Sequence, residues 1–526
     1  MINGNGVIFN AYPDSCGGKL SNIVELLQHP KFAGAFSAFY ILPSLFRSDL
    51  DRGFSIQSYM LEETLAGRAD LQALGQMGIR LKLDFVLNHL SVQSPQFQDL
   101  LAKGPESPYV DFFIDWNKFW AGKGQYNAEG CIVPEPQYLE KLFMRKPGLP
   151  VLRLPDDGPS VSADNSRYYW NTFYQSVDKD ATGKTVYLGQ MDLNAESEQV
   201  WQFYEQTLRQ LKDYGADIVR LDAFAYLHKE AGQSNFFNKP GTWGYLARLQ
   251  EIARQFNLEL LPEIHATYSE MIHCQLSEAG YMIYDFFFPS LIIYSLEYGN
   301  AGKLQQWIAE IQQNDYRTVN MLGCHDGIPL LDIKGLIEEE EIAALIEKIQ
   351  QRGGRIKDLY DSAGKKISYY QVNATFFSAL GGDENKMLLA RAVQLFLPGV
   401  PQVWYLDLFA GCNDTEKADR EGHKEINRTN LSLADLEDRL EDRLENRLVL
   451  QQLALLRFRN SYPAFGNKDS GAKLDLSAPS EGTLHFRWTK DVSGRCFEAT
   501  LEVDFSTSQF AIYYGEMGKR QQLAPG

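Results

Sequence analysis

Arg220, Asp222, Glu263 and Asp326 are the residues of this chain whose types and spacing could break and remake a glycosidic bond. Arg220 and Asp222 flank Leu221 in a run that begins Asp217-Ile-Val, so strand alternation puts both side chains on one face. Glu263 follows Glu259-Leu-Leu-Pro262, and Asp326 follows the apolar run 319–322 and Gly323-Cys-His325. Each carboxylate therefore closes a short β-type run, the place where parallel α/β folds keep their chemistry. A pair of carboxylates suffices for glycosidic transfer: one attacks the anomeric carbon or activates water, and the other protonates the leaving oxygen. Arg220 would keep Asp222 ionised, as suits a nucleophile. Burial against Pro262 and Ile264 would raise Glu263, as suits an acid.

Competing uses of these residues are weaker. A structural Arg220–Asp222 pair explains neither Glu263 nor Asp326, and a non-catalytic sugar-binding barrel would lack one of the three carboxylates. Asn88-His89, Glu263-Ile-His265 and His325-Asp326 could ligate a metal, but no tight spacing such as HExxH accompanies them. Gly183-Lys-Thr185 imitates the end of a phosphate loop, yet position 178 is Asp where that loop needs Gly. No metal and no cofactor are expected.

The elements that must position these groups alternate. Strands are expected at 7–12, 35–42, 79–86, 217–222, 259–263, 281–288, 319–322 and 401–406, and helices at 20–27, 66–77, 196–214, 242–256, 301–313 and 387–396, a parallel α/β pattern. Regularity weakens over 91–190 and again over 329–372, which read as excursions from that pattern. The second holds an acidic helix (338–351) and a Gly/Lys-rich loop (364–368). Leu recurs at every fourth position over 436–448, read as a solvated surface helix. Alternating runs at 483–488, 496–503 and 509–514 indicate a closing antiparallel β unit.

The chain has 526 residues, enough for a large core and more than one folding unit. Its net charge of −17, without a long basic run, argues against nucleic acid and anionic membranes as partners. Aromatic residues make up 13%, which fits a ring-lined sugar cleft. The two most apolar windows, 281–294 and 389–410, carry charges and prolines and are not membrane spans. Six scattered cysteines and a polar start without a signal-peptide pattern suggest free thiols in a cytoplasmic protein, a monomer or homodimer.

Asp84-Phe-Val-Leu-Asn-His89, Arg220-Leu-Asp-Ala-Phe-Ala-Tyr226, Leu261-Pro-Glu-Ile-His265 and His325-Asp-Gly-Ile328 resemble the four ordered motifs of the α-amylase clan of glycoside hydrolases. Asp51-Arg-Gly-Phe54, Tyr370-Gln-Val-Asn373, Pro398-Gly-Val-Pro-Gln-Val403 and Ile426-Asn-Arg428 are similar to its sucrose phosphorylase branch. The resemblance implies a (β/α)8 TIM barrel with excursions inserted after the third and seventh strands and a C-terminal antiparallel β domain. The expected division is 1–90, 191–328 and 373–463 for the barrel, 91–190 and 329–372 for the insertions, and 464–526 for the β domain. It further implies Asp222 as nucleophile, Glu263 as acid/base and Asp326 as transition-state stabiliser. Asp51, Phe54, His89, Phe173, Gln190, Arg220, His325 and Arg428 match positions that hold a glucosyl unit. Arg145, Lys146, Ser368, Tyr370 and Gln371 fall on the acceptor and phosphate side. The implied reaction is retaining transfer of glucose from sucrose to phosphate, so the expected partners are a small sugar and inorganic phosphate. Two departures bear on the acceptor. Ser368 stands where the branch usually carries Asp, after Lys365 and Lys366, and the seventh strand end reads Met321-Leu-Gly-Cys-His325. The first, a carboxylate lost beside two lysines, makes sucrose 6'-phosphate an alternative donor, with glycerol-type acceptors a further one, and the second leaves the acceptor's identity open.

Overall fold

A computed structural model of the chain describes residues 6–142, 148–154, 167–173, 175–179, 185–360 and 366–523. Its centre is a parallel sheet of eight strands: β1 (Ile8–Ala11), β2 (Ala38–Ile41), β3 (Arg80–Val86), β4 (Ala216–Asp222), β5 (Glu259–Pro262), β6 (Ile283–Asp285), β7 (Thr318–Met321) and β8 (Val400–Trp404). Hydrogen-bonded neighbours run β5-β4-β3-β2-β1-β8-β7-β6, and β5 comes back into contact with β6. The sheet thus closes into the expected (β/α)8 barrel. These strands are almost wholly buried because helices cover their outer face and side chains fill the inside.

The outer helices are α1 (Leu20–Gln28), α2 (Arg68–Gln76), α3 (Glu198–Asp213), α4 (Gly241–Gln255), α5 (Ile272–Glu278), α6 (Phe288–Tyr298), α7 (Gly302–Asn314), α8 (Glu384–Phe396) and α9 (Arg447–Ser461). Each turns an apolar stripe inward, as Val200, Tyr204, Leu208 and Leu211 do on α3. Between β3 and α3 lie, among the described residues, three short α-helices (Pro95–Lys103, Trp116–Trp120 and Pro136–Leu139) and several short antiparallel strands, with a ring cluster of Trp116, Trp120 and Trp170. Between β7 and α8 lie an acidic helix (Glu339–Gln351) and a hairpin pairing Arg355–Tyr360 with Lys366–Asn373. The expected loop at 364–368 is therefore strand from Lys366 onward, while 361–365 lie outside the described residues. Five antiparallel strands from Lys473 to Gln522 close the chain. Trp488 from this sheet donates its indole N–H to the Phe396 carbonyl of α8 (2.8 Å). Among the described residues no helix is long and apolar enough to cross a membrane.

Two expectations are corrected. The strand drawn over 281–288 covers only Ile283–Asp285, and α6 begins at Phe288. Asp285 accepts the Phe288 N–H at 3.0 Å and Pro289 sits in the first turn, both helix-starting devices that end the strand early. The helix drawn over 436–448 is broken: it spans Leu433–Leu440, Glu441 is extended, and α9 starts at Arg447. A four-residue repeat advances about 400° per step, so its stripe drifts about 40° each time and leaves the buried face. Leu436 and Leu440 are buried accordingly, whereas Leu444 is 78% exposed.

Candidate active site

Three carboxylates meet on one arginine. Arg220, projecting from β4 into the barrel mouth, donates from Nη1 to Asp84 (2.5 Å) and Asp222 (2.8 Å), and its Nη2 lies 2.7 Å from Glu263. Alternation places Arg220 and Asp222 on the same face of β4, while Asp84 faces Arg220 in register from β3 and Glu263 follows β5. Below them Tyr40 of β2 donates to Asp84 (2.8 Å), and Lys82 of β3 lies 4.0 Å from the Tyr40 ring centre and donates to Gln402 of β8 (2.6 Å). The barrel interior thus braces the guanidinium from beneath.

The charge pattern differs from the expectation that burial lifts Glu263. Burial does act on it, but Arg220 and then His265 outweigh that and hold Glu263 down at about 2. Asp222 is pushed well above the usual carboxylate range by burial and by the Glu263 and Asp84 charges, against the pull of Arg220. One guanidinium shared by three buried carboxylates cannot keep all of them ionised, so the Asp222–Glu263 pair retains a proton.

Asp326 follows β7 on the opposite side of the same cleft. Lys424 stands 3.1 Å from its Oδ1, Arg428 at 3.9 Å, and His325 Nε2 lies 3.3 Å from its Oδ2. Burial would raise Asp326, but Lys424 and Arg428 hold it well below the usual range. His325 itself is pulled down to about 3 by burial, so it meets Asp326 as a neutral N–H donor. Its ring stacks on Phe54 at 5.0 Å.

Asp51 sits 3.3 Å from Arg428 and 3.4 Å from Lys424, which keep it ionised despite its burial. The turn that carries it is tight: Asp51 and Arg52 both lie in the left-handed region (φ 48° and 49°) and Gly53 follows at φ 111°. A Cβ on Gly53 would come within 2.1 Å of the Ser44 nitrogen, so only glycine fits. Gly53→Ala is expected to lower the unfolding free energy by about 1–3 kcal/mol and to weaken donor binding, read by thermal denaturation and KM. The Phe54 carbonyl beyond the turn accepts from His89 Nε2 (3.0 Å) and Gln190 Nε2 (3.1 Å). Phe173 packs on His89 at 5.1 Å. Behind this group Lys229 pairs with buried Asp192 at 2.8 Å and donates to Asn88 at 2.9 Å, fixing the segment that delivers His89.

Asp51, Phe54, His89, Phe173, Gln190, Asp222, Glu263, His325, Asp326 and Arg428 line one cleft of about 1030 Å³, and Asp84, Lys82 and Lys229 support it from behind. Arg220 is 3% exposed at its side chain and forms the floor. Gln371, expected on the acceptor side, is buried and donates to Asn373, which lines the cleft (3.0 Å). Ser368 and Tyr370 lie on the strand Lys366–Asn373, their side chains outside the described residues, as are Arg145 and Lys146 entirely. The histidines considered for a metal are engaged otherwise: His89 with the Phe54 carbonyl, His325 with Asp326, and His265 with Asp332 (3.2 Å). Among the described residues the cluster with ligand spacing is His273, Cys274 and Glu310, outside this cleft.

Sequence reasoning missed Lys424, Lys357 and Asp332. Lys424 had a signal, standing two residues before Ile426-Asn-Arg428. Asp332 and Lys357 had none, because only folding brings them to His265 and to the cleft wall.

The profile of the alpha-amylase catalytic domain matches residues 3–326. A sucrose 6(F)-phosphate phosphorylase from Ilumatobacter coccineus is 52% identical over 99% of this chain and 97% of its own. A sucrose phosphorylase from Streptococcus mutans is 31% identical over 91% of this chain and 92% of its own. The crystal structure of sucrose 6F-phosphate phosphorylase from Thermoanaerobacter thermosaccharolyticum superposes with a TM-score of 0.84 at 31% identity, covering 99% of this chain and 98% of that one. With the barrel, the three strand-end carboxylates and these matches together, the chain belongs to the α-amylase family, in its sucrose phosphorylase branch, and is a glycosyl-transferring enzyme.

Proposed function

We propose that this enzyme cleaves sucrose 6'-phosphate with inorganic phosphate, giving α-glucose 1-phosphate and fructose 6-phosphate by double displacement. The observation that carries this reading over plain sucrose is the 52% identity, along 99% of the chain, to a relative named for the phosphorylated donor, against 31% to a sucrose phosphorylase. Charge on the acceptor side supports it. Ser368 replaces the Asp expected of the branch, Lys365 and Lys366 precede it, and Lys357, opposite Gln371 in the hairpin, lines the cleft. A phosphoryl group needs cations of this kind, and Arg145 and Lys146 are assigned the same task.

In the first step Asp222 attacks the anomeric carbon while Glu263 gives its proton to the leaving fructosyl oxygen, and a glucosyl ester forms on Asp222. In the second a phosphate oxygen attacks the same carbon, Glu263 takes up the proton, and Asp222 leaves. Two inversions give net retention. The scheme needs one proton between Asp222 and Glu263, the number that the crowding around Arg220 favours. A sugar oxygen beside Glu263 draws that proton to it and frees Asp222 as the nucleophile. Asp326 faces the charge that develops on the sugar. Asp51, Arg428, His89, His325, Phe54, Phe173 and Gln190 hold the glucosyl unit.

Turnover of the two donors by purified protein tests the reading. Sucrose 6'-phosphate is expected to exceed sucrose at least about tenfold in kcat/KM, the scale of one charge-assisted contact. Product release is expected to depend on phosphate. Equal or better use of sucrose overturns the donor assignment, and phosphate-independent release of glucose makes the enzyme a hydrolase.

A further inference from the structure

His265 lies on the wall of the cleft beside Glu263, with Nε2 3.7 Å from Glu263 Oε1. Its other ring nitrogen, Nδ1, lies 3.2 and 3.3 Å from the two oxygens of Asp332. Asp332 does not line the cleft. It sits in the segment after β7, 3% exposed at its side chain, and its main-chain carbonyl accepts the Tyr268 N–H at 2.8 Å. The ring of Phe286, just past β6, covers the face of His265 at 3.9 Å, and Tyr284 stacks on Phe286 in turn at 5.1 Å. The imidazole is therefore held in orientation by a stacked ring and a buried carboxylate, neither of which belongs to the reaction as derived above.

We propose that Asp332 is the positioning residue of the acceptor step: it takes the Nδ1 hydrogen of His265 and so turns the Nε2–H toward Glu263 and toward the anionic oxygen that must enter beside it. The inference rests on the phosphate-dependent reading of the site and adds to it a second cation beside the acid/base, on the cleft wall where Arg220 is buried in the floor. A carboxylate accepts only, so its contact with Nδ1 makes that nitrogen the donor and leaves Nε2 to face the cleft. Among the described residues the charged groups facing the ring are Asp332 and Glu263, with Arg220 behind Glu263. Phe286 and Tyr284 add no charge, and Lys82 lies beyond Tyr284. Burial alone would lower His265, but Asp332 and then Glu263 raise it to about 10. The ring is thus an imidazolium through the neutral range. An incoming phosphate pairs with it, weakens its hold on Glu263, and lets Glu263 take up a proton when the acceptor arrives.

Asp332→Asn in the full chain tests this, with Asp332→Glu as the conservative partner. In Asp332→Asn the KM for phosphate is expected to rise about tenfold or more while kcat falls less, the loss of one charge-assisted contact. The pH profile is expected to gain a loss near the ordinary histidine range, about 6.5, where the wild type has none. Asp332→Glu should recover part of the phosphate KM. Titration of the ring by NMR, among eight histidines, reads the Asp332–His265 pair without any substrate. There the His265 transition should fall from near 10 toward its ordinary value. An unchanged phosphate KM together with an unchanged pH profile in a folded Asp332→Asn overturns the proposal. Should that variant not fold, Asp332→Glu carries the same test, and a wild-type titration of His265 near 6.5 overturns the proposal without any variant. A wild type indifferent to phosphate overturns the phosphorylase reading instead, while the NMR titration still decides the pair.

Discussion

Asp222→Asn is expected to abolish turnover of sucrose and of sucrose 6'-phosphate alike, by on the order of 10⁴-fold or more in kcat. The reason is geometric. Arg220 directs one amine to Asp222 and the other to Glu263, and Asp84 lies behind them, so no second carboxylate can reach the carbon that Asp222 serves. The amide is nearly the same size, keeps an oxygen for the Arg220 contact, and, like the protonated Asp222 it replaces, adds no charge to a crowded buried site. The variant should therefore fold with a thermal midpoint equal to or above the wild type. Glucose 1-phosphate release and thermal denaturation check the two halves. Retained turnover with an intact fold would remove Asp222 from the nucleophile's place, and loss of both would say nothing about chemistry.

The barrel was readable in the sequence because each central strand is a short apolar or alternating run followed by a polar strand end. Ile79 to Val86 and Asp217 to Asp222 show this, and each of these two strands starts within one residue of expectation. Where tertiary context decides, the reading strayed. Asp285 and Pro289 turned an apolar run into a short strand and a helix start, which an apolar run alone does not show. The leucine repeat has the correct residues for a helix face and the wrong period for a long one, so the chain breaks at Glu441.

The site was legible as a set of residue types and illegible as an electrostatic system. Alternation alone puts Arg220 and Asp222 on one face, but nothing local reveals that Arg220 also serves Asp84 and Glu263 from the strands on either side. That sharing reverses the expected order of the two carboxylates: Asp222 is raised and Glu263 lowered. Lys424 was missed for the same reason. Its partners Asp51 and Asp326 come from the far end and the middle of the chain, and its one local signal, the place two residues before Ile426-Asn-Arg428, does not reveal them.

Glu263→Gln is expected to cost about 10²–10⁴-fold with natural donors, because a glutamine amide cannot protonate the fructosyl oxygen. The loss should depend on the leaving group. α-Glucosyl fluoride departs without a proton, so the variant should regain most of the first step with it, whereas Asp222→Asn should not. The second step is less affected with phosphate than with water, since a phosphate dianion brings its own anionic oxygen and water must be deprotonated. The pH profile separates the roles further. In the wild type one proton is shared by Asp222 and Glu263, and donor turnover falls as pH rises through the upper ionisation of that pair. Glu263→Gln removes the neighbouring anion that pushes Asp222 up, so Asp222 should ionise at lower pH. With glucosyl fluoride the alkaline limb should vanish and only an acid limb, the protonation of Asp222, should remain. An alkaline limb that persists in Glu263→Gln would place the shared proton on another group, and His265, raised to about 10 beside it, is the group to examine first.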